Sequence, residues 1–323
     1  MSDLAGYRPA RRRLLVIVGP TAVGKTALSL RLAARHNGVI ISADSRQIYR
    51  GMDIGTAKPT PAELRLAPHE LIDIVDPDES FGLAQFQELA MEAIAETHRR
   101  GMLPILVGGT GQYVRAVVEG WGIPRVPPQW DVREALAQEA ERDGVEALHR
   151  RLAEVDPEAA ARIDARNVRR VIRALEVFLI TGTPISELQR KTPPPFDILQ
   201  IGLRRDRETL YARIDARIDA MLAAGLLEEV RALRAAGYAD DLPSMSGLGY
   251  RQFLAHLDGE ETLRDAVDRV KKDTRRFVRQ QSNWFREDDP RIEWFDAEDW
   301  DAIATRVVDW LRKTSEVSKT SEV

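Results

Sequence analysis

The segment Gly19-Pro20-Thr21-Ala22-Val23-Gly24-Lys25-Thr26 fits the pattern GxxxxGK[ST]. A short apolar run, Leu14–Val18, precedes it, and Ala27–His36 follows with helical spacing. Glycines let the backbone wrap closely, so successive amide N–H groups converge on an anion. The helix behind adds its positive N-terminus. Lys25 brings a mobile full charge, and the Thr26 hydroxyl can hold Mg²⁺. Gly19–Thr26 is therefore read as a diphosphate or nucleotide cradle. A cradle of this kind does not name its substrate. An ordinary NTPase adds a second buried strand ending in an Asp. Here Leu103–Val107 runs instead into Gly108-Gly109-Thr110-Gly111, without a carboxylate. That ending fits close approach to a ligand, with Thr110 as a hydroxyl donor, and fits a tight strand-to-helix turn equally well. Asp44 directly follows a second apolar run, Gly38–Ser42. At the carboxyl end of a parallel strand it can bind magnesium or accept a proton; capping a helix is the competing role.

These residues need a frame. Leu14–Val18, Gly38–Ser42, Leu71–Val75, Leu103–Val107 and Ile198–Leu203 read as buried strands, and Phe86–Arg100 as an amphipathic helix. Strands alternating with helices predict an α/β fold: a P-loop parallel sheet with helices on both faces. Gly122-Ile123-Pro124 and Pro193-Pro194-Pro195 bracket a stretch rich in Ala, Glu, Arg and Leu, from Asp131 to Gln189. This predicts an inserted, mostly helical domain at 122–195, between core segments 1–121 and 196–312. Helices are expected at Arg207–Ala223, Leu226–Ala236 and Leu263 to about Arg286. The polar end, 313–323, with its repeated Thr-Ser-Glu-Val, is expected to be disordered.

Composition narrows the chemistry. The absence of cysteine excludes disulfides, thiolate catalysis and Cys-based zinc sites. The five histidines show no metal-ligand spacing. A net charge of −4 means that any RNA contact must come from local basic patches. No apolar run reaches spanning length, and the run after the basic start is too short for a signal peptide, so a cytoplasmic protein without membrane attachment is expected.

Several stretches carry a family resemblance. Gly19–Thr26, Asp44-Ser45-Arg46-Gln47-Ile48-Tyr49, Gly51-Met52-Asp53-Ile54-Gly55-Thr56-Ala57-Lys58-Pro59 and Gly108–Gly111 together resemble the tRNA dimethylallyltransferases. His69–Asp73, Arg169–Val177, Gly249–Gln252 and Arg279–Arg286 continue the likeness in order along the chain. Gln112 and Leu248 depart from the family pattern as packing changes. The zinc finger of some eukaryotic members is absent, as in bacterial ones.

The resemblance implies transfer of a dimethylallyl group from dimethylallyl diphosphate to N6 of adenosine 37, the residue just 3′ of the anticodon in tRNA. Asp44 would accept the proton. Lys25, Thr26 with Mg²⁺, Thr110 and Arg217 would act on the diphosphate. Arg213 lies one helical turn earlier on the same face; an ordinary solvated helix charge is the competing reading of either arginine, and the resemblance favours Arg217. The anticodon loop would be met by Asp44, Ser45, Arg46, Gln47 and Thr110, by Arg169, Arg170, Val171, Ile172 and Arg173, and by Ser246, Gly247, Leu248, Gly249, Tyr250 and Arg251. Arg269, Lys271, Lys272, Arg275, Arg276 and Arg279 could hold phosphates or form a solvated face. Phe277, Trp284 and Phe285 are expected in the core. A monomer is expected. Two other readings stay open on the residues alone: a P-loop kinase of a nucleotide or small metabolite, and a nucleotide-gated RNA-binding module without catalysis.

Overall fold

The computed structural model describes residues 12–316, with side chains to 312. The chain runs β1 (Arg12–Val18), α1 (Lys25–His36), β2 (Gly38–Ser42), α2 (Pro61–Leu64), β3 (His69–Glu70), α3 (Leu83–Arg99), β4 (Leu103–Val107) and α4 (Gly111–Val118). Next come α5 (Trp130–Asp143), α6 (Val145–Val155), α7 (Pro157–Arg162), α8 (Val168–Thr181) and α9 (Ile185–Leu188). The chain ends with β5 (Phe196–Arg204), α10 (Arg207–Ala223), α11 (Leu226–Ala235), α12 (Tyr250–Leu257), α13 (Leu263–Ser282), β6 (Ile292–Asp296) and α14 (Trp300–Glu316).

All six strands pair in parallel, in the order β3-β2-β4-β1-β5-β6, with helices on both faces. Leu14 to Val18 are fully buried, as a central parallel strand covered on both faces requires. The order reverses between β4 and β1, so the carboxyl ends of these strands flank the crevice where a ligand enters such a sheet. The P-loop and the Gly108–Gly109 turn stand there.

Chain contacts divide the molecule into two units, 12–114 with 195–316, and Arg115–Pro194. The helical unit begins earlier than the expected 122. Glu119 explains why: its carboxylate receives Arg115, the Trp121 indole N–H and Lys191, which staples both ends of the unit together. It has its own core, with Leu136, Leu148, Leu152, Val171, Leu175 and Val177 almost fully buried.

Three local expectations change. Leu71–Val75 is not a strand: β3 stops at Glu70, and Leu71 and Asp73 turn to positive φ, at 63° and 55°. Their backbone groups bond to the turn 47–50 instead of to a ladder, and Asp73 is taken by Lys58. The long C-terminal helix ends at Ser282. Helix α14 continues to Glu316, into the stretch expected to be disordered; 317–323, like the start of the chain to residue 11, lies outside the described residues. Among the described residues no helix is long and apolar enough to cross a membrane.

Candidate active site

Two cavities, of about 560 and 970 Å³, meet above the carboxyl ends of β1, β2 and β4. Both are walled by Thr21, Ala22, Lys25, Asp44 and Arg217. Thr110 and the segment Ser246–Arg251 belong to the first, and Gly24, Thr26 and Gln47 to the second. The expected chemical residues thus come together from four separate parts of one unit.

The P-loop supplies Thr21, Ala22, Gly24, Lys25 and Thr26. Gly19, Pro20 and Val23 do not reach the cavities: Val23 is fully buried in the core and its N–H leans on the Pro20 carbonyl at 3.4 Å. Lys25 donates to the Gly19 and Pro20 carbonyls at 2.9 and 2.8 Å. Burial pushes its pKa down to about 8; Asp44 pulls it up and Arg217 pushes it further down. Arg217 is likewise lowered, mainly by burial, with Asp44 opposing. It has no hydrogen-bond or ion-pair partner among the described residues, so its guanidinium is left for an anion. Arg213 serves the loop instead, since its Nε holds the Ala22 carbonyl at 3.0 Å.

Asp44 caps no helix. It opens a turn in which the Arg46 N–H donates to its Oδ1 at 2.9 Å. The turn is braced by Thr110, whose hydroxyl accepts from the Ser45 N–H at 3.0 Å and donates to the Ser45 hydroxyl at 3.3 Å. Only glycine permits this approach: a Cβ on Gly108 would lie 2.1 Å from the Ala43 carbonyl oxygen. Thr110 thus packs against the Asp44 turn and also lines the first cavity. Gln47 accepts from the Ser42 hydroxyl and donates to the Ala57 carbonyl at 3.1 Å. Arg46 binds the Pro243 and Ser244 carbonyls and the Ser246 hydroxyl, tying its turn to the segment before α12.

Several of the expected tRNA contacts turn inward. Val171 and Ile172 are buried in the helical unit's core. Arg173 joins Arg133 on the fully buried Glu176 and donates to the Val126 carbonyl. Two arginines on one buried carboxylate satisfy it and leave Arg173 little freedom. Of the five, Arg169 and Arg170 are exposed. Tyr250 is 1% exposed and donates its hydroxyl to Glu229, so it shapes the first cavity without offering RNA a surface. Arg251 pairs with Asp273 at 2.8 Å. On α13, Arg269, Lys271 and Arg275 are spent on Glu261, Asp219 and Asp215. Arg276 stays exposed at the rim of the first cavity. Phe277 beside it is not core: it is 38% exposed and lines the same cavity, whereas Phe285 is buried as expected.

A buried residue that joins two walls of the site was not singled out by the sequence reading. Buried Gln281 accepts the Thr21 N–H at 2.9 Å and donates to the Gly109 carbonyl at 3.1 Å, clamping the P-loop to the β4 turn. It lies inside the Arg279–Arg286 signature, but nothing in a helical pattern distinguishes a buried glutamine from a solvated one.

The IPP transferase family model matches residues 47–288, and the isopentenyl transferase model matches 12–76. The tRNA dimethylallyltransferase of Roseiflexus castenholzii is 61% identical over 273 residues, 84% of this chain and 89% of that protein. The enzyme of that name from Thermomicrobium roseum is 49% identical over 95% of this chain and 94% of its own. The crystal structure of a tRNA isopentenylpyrophosphate transferase from Bacillus halodurans superposes with a TM-score of 0.71 at 42% identity, over 96% of this chain and all of the other. A eukaryotic dimethylallyltransferase acting on tRNA superposes with a TM-score of 0.79 at 30% identity, over 92% of this chain and 77% of its own.

Proposed function

The chain belongs to the tRNA dimethylallyltransferase family, and on that premise we propose how its residues transfer a dimethylallyl group to adenosine 37 of tRNA. The observation that carries the proposal is the meeting of the two cavities on Lys25, Asp44 and Arg217. Dimethylallyl diphosphate lies with its phosphates against the P-loop amides, Lys25 and Arg217. The target adenine, extruded from the anticodon loop at a cost of a few kcal/mol, enters from the side of Ser246–Arg251 and Thr110.

The adenine amine is a weak nucleophile because its lone pair is delocalised into the ring. Two aids offset this. Asp44, held by the Arg46 N–H through Oδ1, keeps Oδ2 for the amine. As N6 bonds to C1 of the dimethylallyl group, one N6 proton passes to Asp44. The C1–O bond breaks, and its electron pair leaves on the diphosphate, where Lys25, Arg217 and the amides meet the developing charge.

Mg²⁺ fits this site in a limited way. No group of three or more His, Asp or Glu side chains converges among the described residues. Thr26 lines the second cavity, and with the diphosphate's own oxygens it would hold an ion that commonly keeps few protein ligands. Bound there, Mg²⁺ would neutralise charge on the leaving group. The site draws on a single chain, so a monomer suffices, and a tRNA substrate puts its work in the cytoplasm.

The helical unit's exposed Arg169 and Arg170 supply phosphate contacts for the tRNA. The test is incubation of the protein with undermodified tRNA, Mg²⁺ and dimethylallyl diphosphate, followed by nucleoside mass analysis. Appearance of N6-(dimethylallyl)adenosine at position 37 is the expected result. Phosphoryl transfer from ATP in place of prenylation would overturn it.

A further inference from the structure

The loop Asp53–Lys58 walls both cavities, yet it has no regular secondary structure to hold it. One carboxylate holds the backbone of its first three residues. Glu229 of α11 accepts the N–H groups of Asp53 and Ile54 on Oε2, at 2.9 and 2.7 Å. On Oε1 it accepts the Gly55 N–H at 3.1 Å and the Tyr250 hydroxyl at 2.7 Å. Three consecutive amides aimed at one anion form the kind of nest that elsewhere binds phosphate. Here a side chain of the protein fills it.

We propose that Glu229 is a positioning residue for prenyl transfer, fixing the loop wall where the two substrates meet. The inference rests on the cavities being the reaction site. It goes beyond the loop's own stability for two reasons. First, the loop passes its position on: Gln47, three residues from Asp44, donates to the carbonyls of Thr56 and Ala57. Second, the fourth donor, Tyr250, opens α12 next to the mouth segment Ser246–Gly249. The Tyr250 ring is set against the loop so closely that a Cβ on Gly55 would sit 2.6 Å from it. One carboxylate thus locks the loop wall and the mouth in a common register. Lys58, only 5% exposed and bound to Asp53, Asp73 and the Tyr49 carbonyl, pins the other end of the loop independently. Loss of Glu229 should therefore shift the wall without releasing the whole segment.

Glu229→Gln tests this with little change of volume. A glutamine keeps one carbonyl oxygen, so its NH₂ must face N–H donors at the other position. In the full-length protein, with tRNA and dimethylallyl diphosphate both saturating, kcat should fall by roughly 10–100-fold, the scale of a small misplacement of reactants. The Kd for tRNA and the far-ultraviolet circular dichroism should match wild type, which is assayed in parallel to establish the activity itself. Tyr250→Phe, which removes one of four donors, should give a smaller fall in kcat of the same kind. A folded Glu229→Gln protein with wild-type kcat and only a lower melting temperature overturns the proposal, as does a defect confined to tRNA affinity. If Glu229→Gln does not fold, Tyr250→Phe decides: reduced kcat at unchanged Kd upholds the proposal, and wild-type kcat overturns it.

Discussion

Replacing Lys25 by methionine should make function and stability part company in a pH-dependent way. Its ammonium is buried against the Gly19 and Pro20 carbonyls, and its pKa falls from 10.5 to about 8. Below pH 8 the folded protein therefore carries a charge that burial disfavours. A drop of that size corresponds to a cost of roughly 3 kcal/mol at pH 7. Between the folded and unfolded pKa values the unfolded chain binds more protons, so wild-type stability rises with pH in this window. By pH 9.5 the remaining cost is about 1 kcal/mol, so wild type should gain about 2 kcal/mol on Lys25→Met between pH 7 and 9.5. Urea titrations of both proteins at both pH values measure this, because other titrating groups cancel in the difference between them. Turnover of Lys25→Met should drop about 10²–10³-fold, as for loss of one group stabilising transition-state charge. A stability difference that stays constant from pH 7 to 9.5, or near-normal turnover by the folded variant, would refute the reasoning.

Asp44→Asn should cut the single-turnover rate by roughly 10²–10⁴-fold at little change in KM. Rescue by excess Mg²⁺ would make Asp44 a metal ligand instead, and an unchanged rate would remove it from the mechanism. Phe277→Ala should raise KM for tRNA by roughly tenfold, the weight of one base stacked on an aromatic ring, and leave diphosphate affinity alone; equal loss of both affinities would return Phe277 to a packing role. Glu176→Ala strands Arg133, Arg173 and the Gln129 N–H around an empty position, and should destabilise the helical unit by about 3 kcal/mol, read as an early step in thermal unfolding followed by circular dichroism. A single unshifted transition would contradict that account.

Much of the molecule was legible in its residues, because the governing physics is local. The P-loop is a backbone device whose glycines, lysine and threonine stand within eight consecutive positions, between a buried strand and a helix. The doubly covered strands announce themselves as unbroken apolar runs, since a strand buried on both faces has no polar side to show. The proline-flanked helical stretch marks a second unit, although its start moved to Arg115 because Glu119 binds across 72 residues to Lys191. Asp44, Thr110 and Arg217, left open by residue chemistry and singled out through family likeness, do line one cavity.

What the sequence could not decide is where a polar side chain spends its hydrogen bonds. Arg173, Tyr250 and Arg251 carry the same kinds of polar group as residues that stay free for a ligand, yet they face Glu176, Glu229 and Asp273. Phe277 and Phe285 share one aromatic-rich stretch, but only the first meets a cavity. Gln281 finds its partners 172 and 260 residues away, and Glu229 finds the loop amides 174 to 176 residues away. Helical periodicity reports which face of an element is buried, through apolar spacing alone. A charged or amide group is placed by the single partner that satisfies it, and that partner is chosen only when distant segments are brought together by the tertiary fold.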